Sequence, residues 1–212
     1  MNEKARILNV IEILEAKYGH AHIALKSKNP FQLLVSVILS AQCTDVRVNK
    51  VTPVLFERFP DVRSMSQASV EELEDLIRTT GFFRNKAKNI KAASRIILEH
   101  FKGELPSTME EMITIPGVGR KTANIVLYNA FGVIAGIAVD THVKRLAKRL
   151  GMTSEDNPVK IERDLMALVP EKDWGKITYI LINHGRQICK AKKPACNRCP
   201  VQDLCPSVKQ FT

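Results

Sequence analysis

The chain has 212 residues, enough for one or two domains with a hydrophobic core that needs no covalent staples. Hydrophobic residues make up 45% and charged residues 25%, which excludes disorder, collagen and low complexity, while 10 Gly and 10 Pro are too few for a loop-dominated fold. The formal net charge of +10 points to a polyanionic partner, nucleic acid first or an acidic membrane surface.

Helical periodicity dominates from the start of the chain. Residues 3–17 read as a helix, and Glu12 and Glu15 inside its apolar run leave no signal-peptide core. Asn29-Pro30 supplies an N-cap and a first helical residue for the apolar helix 30–41. Helices follow over 44–58, 69–79, 84–101, 107–114, 119–131, 141–150, 158–168 and 174–187, about ten in all. Ser69 with Glu72 and Ser107 with Glu110 have capping-box spacing, and Gly81 and Gly151 stand where helix C-caps fall. Only 133–139 could be a strand, and one strand makes no sheet, so the class is all-α. The longest uncharged run, Thr122 to Val139, holds 18 residues with two Asn and two Gly, too short and polar to cross a bilayer. The tail, 189–212, reads as irregular and rich in cysteine.

The positive charge is concentrated. Residues 84–102, 117–151 and 186–200 hold 17 basic residues and only two acidic ones, Glu99 and Asp140. Should these stretches meet in space, they form a surface for phosphates.

The strongest motif is Cys189-x6-Cys196-x2-Cys199-x5-Cys205. Four thiolates within 17 residues can close around one metal centre, and the chain lacks the secretory features that would suggest disulfides. Zinc and an iron–sulfur cluster both accept four cysteines, and spacing does not choose between them. Next is Ile115-Pro116-Gly117-Val118-Gly119-Arg120-Lys121, between two helical patterns. The proline ends one helix, and the glycines permit a tight hairpin that bares backbone amides at the start of the next. This is the layout of a helix–hairpin–helix phosphate anchor, or of a plain corner between helices. Lys121 in the first turn opposes the helix dipole and serves either a phosphate or a reaction as an amine nucleophile. Asp140 caps helix 141–150, and a carboxylate almost alone among cations could also stabilise a developing positive charge.

The segments IPGVGRKTANIVL, AVDTHVKRL and LLVSVILSAQCTD, together with the cysteine tail, resemble the endonuclease III family of bacterial base-excision-repair enzymes over essentially the whole chain. The resemblance implies a helix-hairpin-helix DNA glycosylase fold. A six-helix barrel domain would span 23–133. A discontinuous iron–sulfur domain would take 1–22 and 134–212, with a DNA cleft between the two. It implies one 4Fe-4S cluster on Cys189, Cys196, Cys199 and Cys205. It also implies a monomeric cytoplasmic enzyme of the bacterial nucleoid, acting on double-stranded DNA with damaged pyrimidines or abasic sites and on no membrane.

In the same family reading Lys121 attacks C1′ and forms a Schiff base, β-elimination cuts the strand 3′ to the lesion, and Asp140 assists. Gln42 fills the gap left by the flipped base. Phe82, where a Leu is usual, is a wedge in the opposite strand, with Phe83 beside it as a rival. Gly117, Val118, Gly119 and Arg120 hold the backbone, while Ser40, Asp45 and His142 line the lesion pocket. Cys43, next to Gln42, is a packing residue. Adenine-mismatch relatives carry a catalytic Glu where Ser36 stands and lack the lysine. Two other readings remain at this level: a monofunctional glycosylase in which Lys121 only binds phosphate, and a non-catalytic DNA-binding module with a structural zinc.

Overall fold

The computed structural model describes residues 2–211, which divide into two compact units: Ala24–Ala135, and Met1–Ile23 together with Gly136–Thr212. Eleven α-helices and several short 3-10 turns make up the described residues, with no strand among them.

The continuous unit runs through α2 (Pro30–Ser40), α3 (Asp45–Arg58), α4 (Val62–Gln67), α5 (Val70–Ile77), α6 (Phe83–His100), α7 (Met109–Met112) and α8 (Arg120–Phe131). Phe31 to Leu39 of α2 are all buried, because that helix is apolar on every face and packs against α3, α6 and α8. Even Ser36 is buried, its hydroxyl donating to the Gln32 carbonyl at 2.7 Å. Val48, Leu55, Met65, Leu73, Ile90, Ile97 and Leu127, on the other helices of this unit, are all at zero exposure. Truncating one such side chain to alanine costs about 2–5 kcal/mol.

The discontinuous unit joins α1 (Glu3–Tyr18) to α9 (Thr141–Arg149), α10 (Pro158–Leu168) and α11 (Trp174–Gln187), followed by the cysteine tail. Ile7, Val10, Ile11 and Leu14 of α1 enter one core with Leu146, Leu165, Ile177 and Ile180. Arg6 ties the ends of the unit together: its Nη1 donates to the carbonyls of Leu150 and Leu204, both at 2.9 Å.

Side-chain caps set most helix starts, with Asn2, Asn29, Thr44, Asp61, Ser69, Thr108, Asp140 and Asn157 each accepting a first-turn amide. The structure departs from the sequence expectation in three places. A short helix, α4, forms between Asp61 and Ala68, started by a capping box of Asp61 with Ser64. The second expected capping box does not form: Thr108, not Ser107, is the cap, accepting the Glu111 amide, and its hydroxyl donates to the Glu111 carboxylate. The helix expected over 107–114 contracts to the single turn of α7, since Ile113 to Gly117 turn into the hairpin. Residues 133–139 are irregular and pair with no strand.

Candidate active site

Pro116 and Gly117 form the centre of a β-turn closed by the Val118 amide on the Ile115 carbonyl at 3.0 Å. Gly117 has φ of +79°, the value a type II turn demands at its third position. Ile115 and Val118 are buried beneath the turn and anchor it. Its outer edge leads into Gly119, which caps α8 through backbone alone, so the first amides of that helix have no side-chain cap. A Cβ built on Gly119 meets no protein atom within 4 Å, and its φ of −95° suits any residue. The fold itself does not require glycine there; the bare amides and open space suit an anion approaching from outside. Arg120 is half-buried, and Lys121 stands exposed in the first turn of α8.

Two further loops of the same unit carry expected DNA contacts. The Cys43 amide closes a turn on the Ser40 carbonyl at 3.0 Å, with Ala41 at φ −57° and ψ 115° and Gln42 at φ +51°. This is the shape of a type II turn with glutamine at the position that favours glycine. Gln42 is exposed, while Ser40 turns its hydroxyl back to the Val37 carbonyl at 2.8 Å. Asp45 is the first residue of α3, with its carboxylate at the positive helix end. In the second loop Gly81 has φ 70° and ψ 150°, a conformation open almost only to glycine, and Phe82 is left-handed at φ 48°, ψ 27°. Phe82 is 65% exposed. Phe83 is held instead, with the guanidinium groups of Arg78 and Arg84 at 5.6 and 5.3 Å from its ring centre.

In the discontinuous unit Asp140 caps α9, its Oδ1 accepting from the Val143 amide at 2.8 Å. His142 lies in the first turn, and its Nδ1 is 3.2 Å from Nη2 of Arg145. A guanidinium can only donate, so Nδ1 accepts and the ring proton sits on Nε2. Burial lowers the His142 pKa; Asp140 opposes that shift, and Arg145 and Arg186 add to it. The imidazole is therefore held neutral. Arg145 itself is fixed by the carbonyls of Gly185 and Cys189 at 3.3 and 3.1 Å. A Cβ at Gly185 would lie 2.8 Å from Arg145 Nη2 and 2.9 Å from His142 Nδ1, so α11 can approach α9 only through a glycine.

All four tail cysteines line one cavity, walled by His184 and Phe211. Burial and the neighbouring cysteines push the thiols of Cys199 and Cys205 up, a repulsion that an iron core would relieve. Two nitrogens face the sulfurs: Arg149 Nη1 donates to Cys189 Sγ at 3.4 Å, and His184 Nε2 lies 3.6 Å from Cys199 Sγ. His184 is buried against Tyr18, which holds it neutral with a pKa near 4 through desolvation. Four thiols around one cavity are a donor set that suits an iron–sulfur cluster, and equally a zinc ion.

Not every cation of the three basic stretches is offered to a polyanion. Lys86 is buried, Arg145 and Arg149 donate to backbone carbonyls, and Lys144 and Lys148 both pair with Asp156 at 3.0 Å. Arg84, Lys88, Lys102, Lys121, Lys190, Lys192, Lys193 and Arg198 are the exposed cations that remain for a polyanion among those stretches, and Arg186 is exposed beside them. Lys86, His184, Arg145 and Arg149 escape a sequence reading because their partners lie far away in the chain or on the backbone.

A family model described as HhH-GPD superfamily base excision DNA repair protein matches residues 35–171, and another, the iron-sulfur binding domain of endonuclease III, matches 189–205. The chain is 53% identical over 208 residues to the endonuclease III of Synechocystis sp., covering 98% of this chain and 95% of that protein. A solved structure of a non-covalent endonuclease III–DNA complex matches with a TM-score of 0.94 at 43% identity, covering 99% of this chain and 98% of that one. A trapped endonuclease III–DNA covalent intermediate matches with the same TM-score at 42% identity, covering 99% of each chain. The chain thus belongs to the endonuclease III family of base-excision DNA repair enzymes, DNA glycosylases and AP lyases that carry a 4Fe-4S cluster.

Proposed function

We propose that this enzyme removes oxidised or ring-saturated pyrimidines from duplex DNA and then cuts the abasic strand, with Lys121 as the nucleophile. The observation that carries this reading is the exposed amine of Lys121, two residues beyond the uncapped amides of the hairpin. Phosphate held on the free amides of Gly119 and Arg120, beside the turn that Val118 closes, brings the sugar of a flipped nucleotide to that amine. The free amine of Lys121 attacks C1′ and displaces the base. The resulting imine acidifies C2′, loss of a C2′ proton expels the 3′ phosphate, and hydrolysis frees the lysine. Asp140 supplies the carboxylate that stabilises the sugar cation and assists proton transfer. Damaged pyrimidines that have lost aromatic stacking cost less to flip. Gln42 takes the vacated place in the stack, and Phe82 rather than Phe83 is the wedge, since Phe83 is held between two arginines.

Cys189, Cys196, Cys199 and Cys205 hold the cluster, which supplies a rigid cross-link to the basic tail when bound. The enzyme works as a monomer on nucleoid DNA. Ser40, with its hydroxyl turned into its own helix, contributes shape rather than a hydrogen bond to the lesion pocket, and Asp45 and His142 supply the polar contacts there.

Borohydride trapping on a thymine-glycol duplex tests the assignment. Wild type should form a covalent adduct and Lys121→Gln none, while the variant still binds the lesion. Normal trapping of the variant would assign the nucleophile to another amine, and no trapping by wild type would make the enzyme monofunctional.

A further inference from the structure

We propose that Lys86 is a positioning residue that ties together the two strained loops bearing Gln42 and Phe82, holding both side chains ready for insertion into the DNA stack. The inference rests on the reading of those two residues as DNA-inserting.

Lys86 lies in the first turn of α6 and is 4% exposed. Its Nζ donates to the Leu39 carbonyl at 2.8 Å and to the Thr80 carbonyl at 2.8 Å. Leu39 lies in the last turn of α2, immediately before the Ser40–Cys43 turn; Thr80 ends the 3-10 turn immediately before Gly81 and Phe82. One ammonium therefore grips the base of each loop. No carboxylate pairs with it among the described residues; the negative ends of two helical segments solvate it instead.

The loops need such a grip. Gln42 at φ +51° and Phe82 at φ +48° both occupy a region that is costly for residues with a Cβ. Neither side chain repays that cost by burial, since both are exposed. Conformations of this kind persist only where surrounding contacts over-determine them. Burial lowers the Lys86 pKa, so the two carbonyls are what hold the amine in place. Loss of the two bonds leaves buried carbonyls unpaired and frees both loops to relax.

The test compares two substrates. Wild type, Lys86→Met and Lys86→Gln are assayed for base release from a thymine-glycol duplex, where the stack must be opened. They are also assayed for β-elimination at a preformed abasic site in a single strand, where it need not be. Both assays count the same folded fraction, so their ratio is independent of lost stability. Lys86→Met should lower the duplex-to-single-strand ratio about tenfold or more, the scale expected for a charged hydrogen-bond donor. Lys86→Gln, which keeps a neutral donor, should fall between, and it carries the comparison should Lys86→Met fail to fold. Fluorescence of 2-aminopurine opposite the lesion should report less unstacking in step.

Gln42→Ala and Phe82→Ala serve as controls for the underlying reading, and adding Lys86→Met to the Gln42→Ala/Phe82→Ala double variant should lower the ratio no further. A wild-type ratio in Lys86→Met and Lys86→Gln, with the loop variants impaired, overturns the role of Lys86 alone. Unaltered ratios in the loop variants overturn the insertion reading itself.

Discussion

Gly117 and Asn89 approach so closely that a Cβ on the glycine would lie 2.9 Å from the asparagine Cβ. The hairpin is thereby seated on α6, and its two glycines have separable duties. Gly117→Ala meets both a left-handed backbone and a clash, so it should destabilise the fold by about 1–3 kcal/mol. Gly119→Ala meets neither and should melt within about 1 kcal/mol of wild type. Its methyl nevertheless occupies the space offered to a phosphate, so duplex affinity should fall roughly tenfold. Thermal melts paired with fluorescence anisotropy separate the two effects; equal melting losses would show that both glycines serve the fold.

Asp140 has two jobs with different chemical requirements. Accepting the Val143 amide needs only an oxygen, whereas assisting catalysis needs a negative charge. Asp140→Asn should therefore melt near wild type, and Asp140→Ala should lose about 1 kcal/mol. Single-turnover base release should slow in both, by about 10²–10⁴-fold. Wild-type turnover in Asp140→Asn would reduce the residue to a helix cap.

Arg149 binds the carbonyls of Lys190 and Ala191 at 2.8 and 3.0 Å, faces Cys189 Sγ, and lies 4.4 Å from the Phe211 ring centre. Arg149→Met keeps some apolar contact but releases the start of the tail. The iron–sulfur absorbance should bleach faster in air than in wild type, and duplex affinity should drop as Lys190, Lys192 and Lys193 lose their fixed placement. Equal bleaching rates would show that the cysteines alone hold the cluster.

His142 makes stability depend on pH. Its folded pKa lies below the unfolded value of 6.5, so the unfolded chain takes up the proton first as pH falls. The stabilisation is present above the unfolded value and is lost as pH drops through the folded one. His142→Gln, which keeps an acceptor for Arg145, should flatten the fall of melting temperature just below pH 6.5. An unchanged slope would assign the acid sensitivity to other groups.

Local chemistry was readable in the sequence and distant chemistry was not. Asn29-Pro30, Ser69 with Glu72, the Pro116-Gly117 turn and the cysteine spacing each complete their meaning within a few residues, and the structure has those features where the spacing puts them. Lys86 looks like any surface lysine in its own helix, because the carbonyl that buries it belongs to Leu39, 47 residues away. His184 and Arg149 are hidden for the same reason. Charge counting is blind in the same way: cations engaged with backbone carbonyls or with Asp156 add to the net charge and little to the surface offered to a polyanion. Helix α4 was missed because six residues carry too little of the 3.6-residue period.

The interruption of one unit by the other bears on how the chain emerges during synthesis. Residues 24–135 can collapse as they leave the ribosome. The apolar side of α1, made first, has no partner until α10 and α11 follow. At about 5–20 residues per second that wait is on the order of ten seconds, during which a sticky helix is open to chaperones or to aggregation. Arg6 and Leu204 touch at 2.9 Å, so α1 and the cysteine tail return to one place. A circular permutant opened at Ala24, with the cysteine tail joined to α1 by a short linker, would make both units continuous and remove the wait.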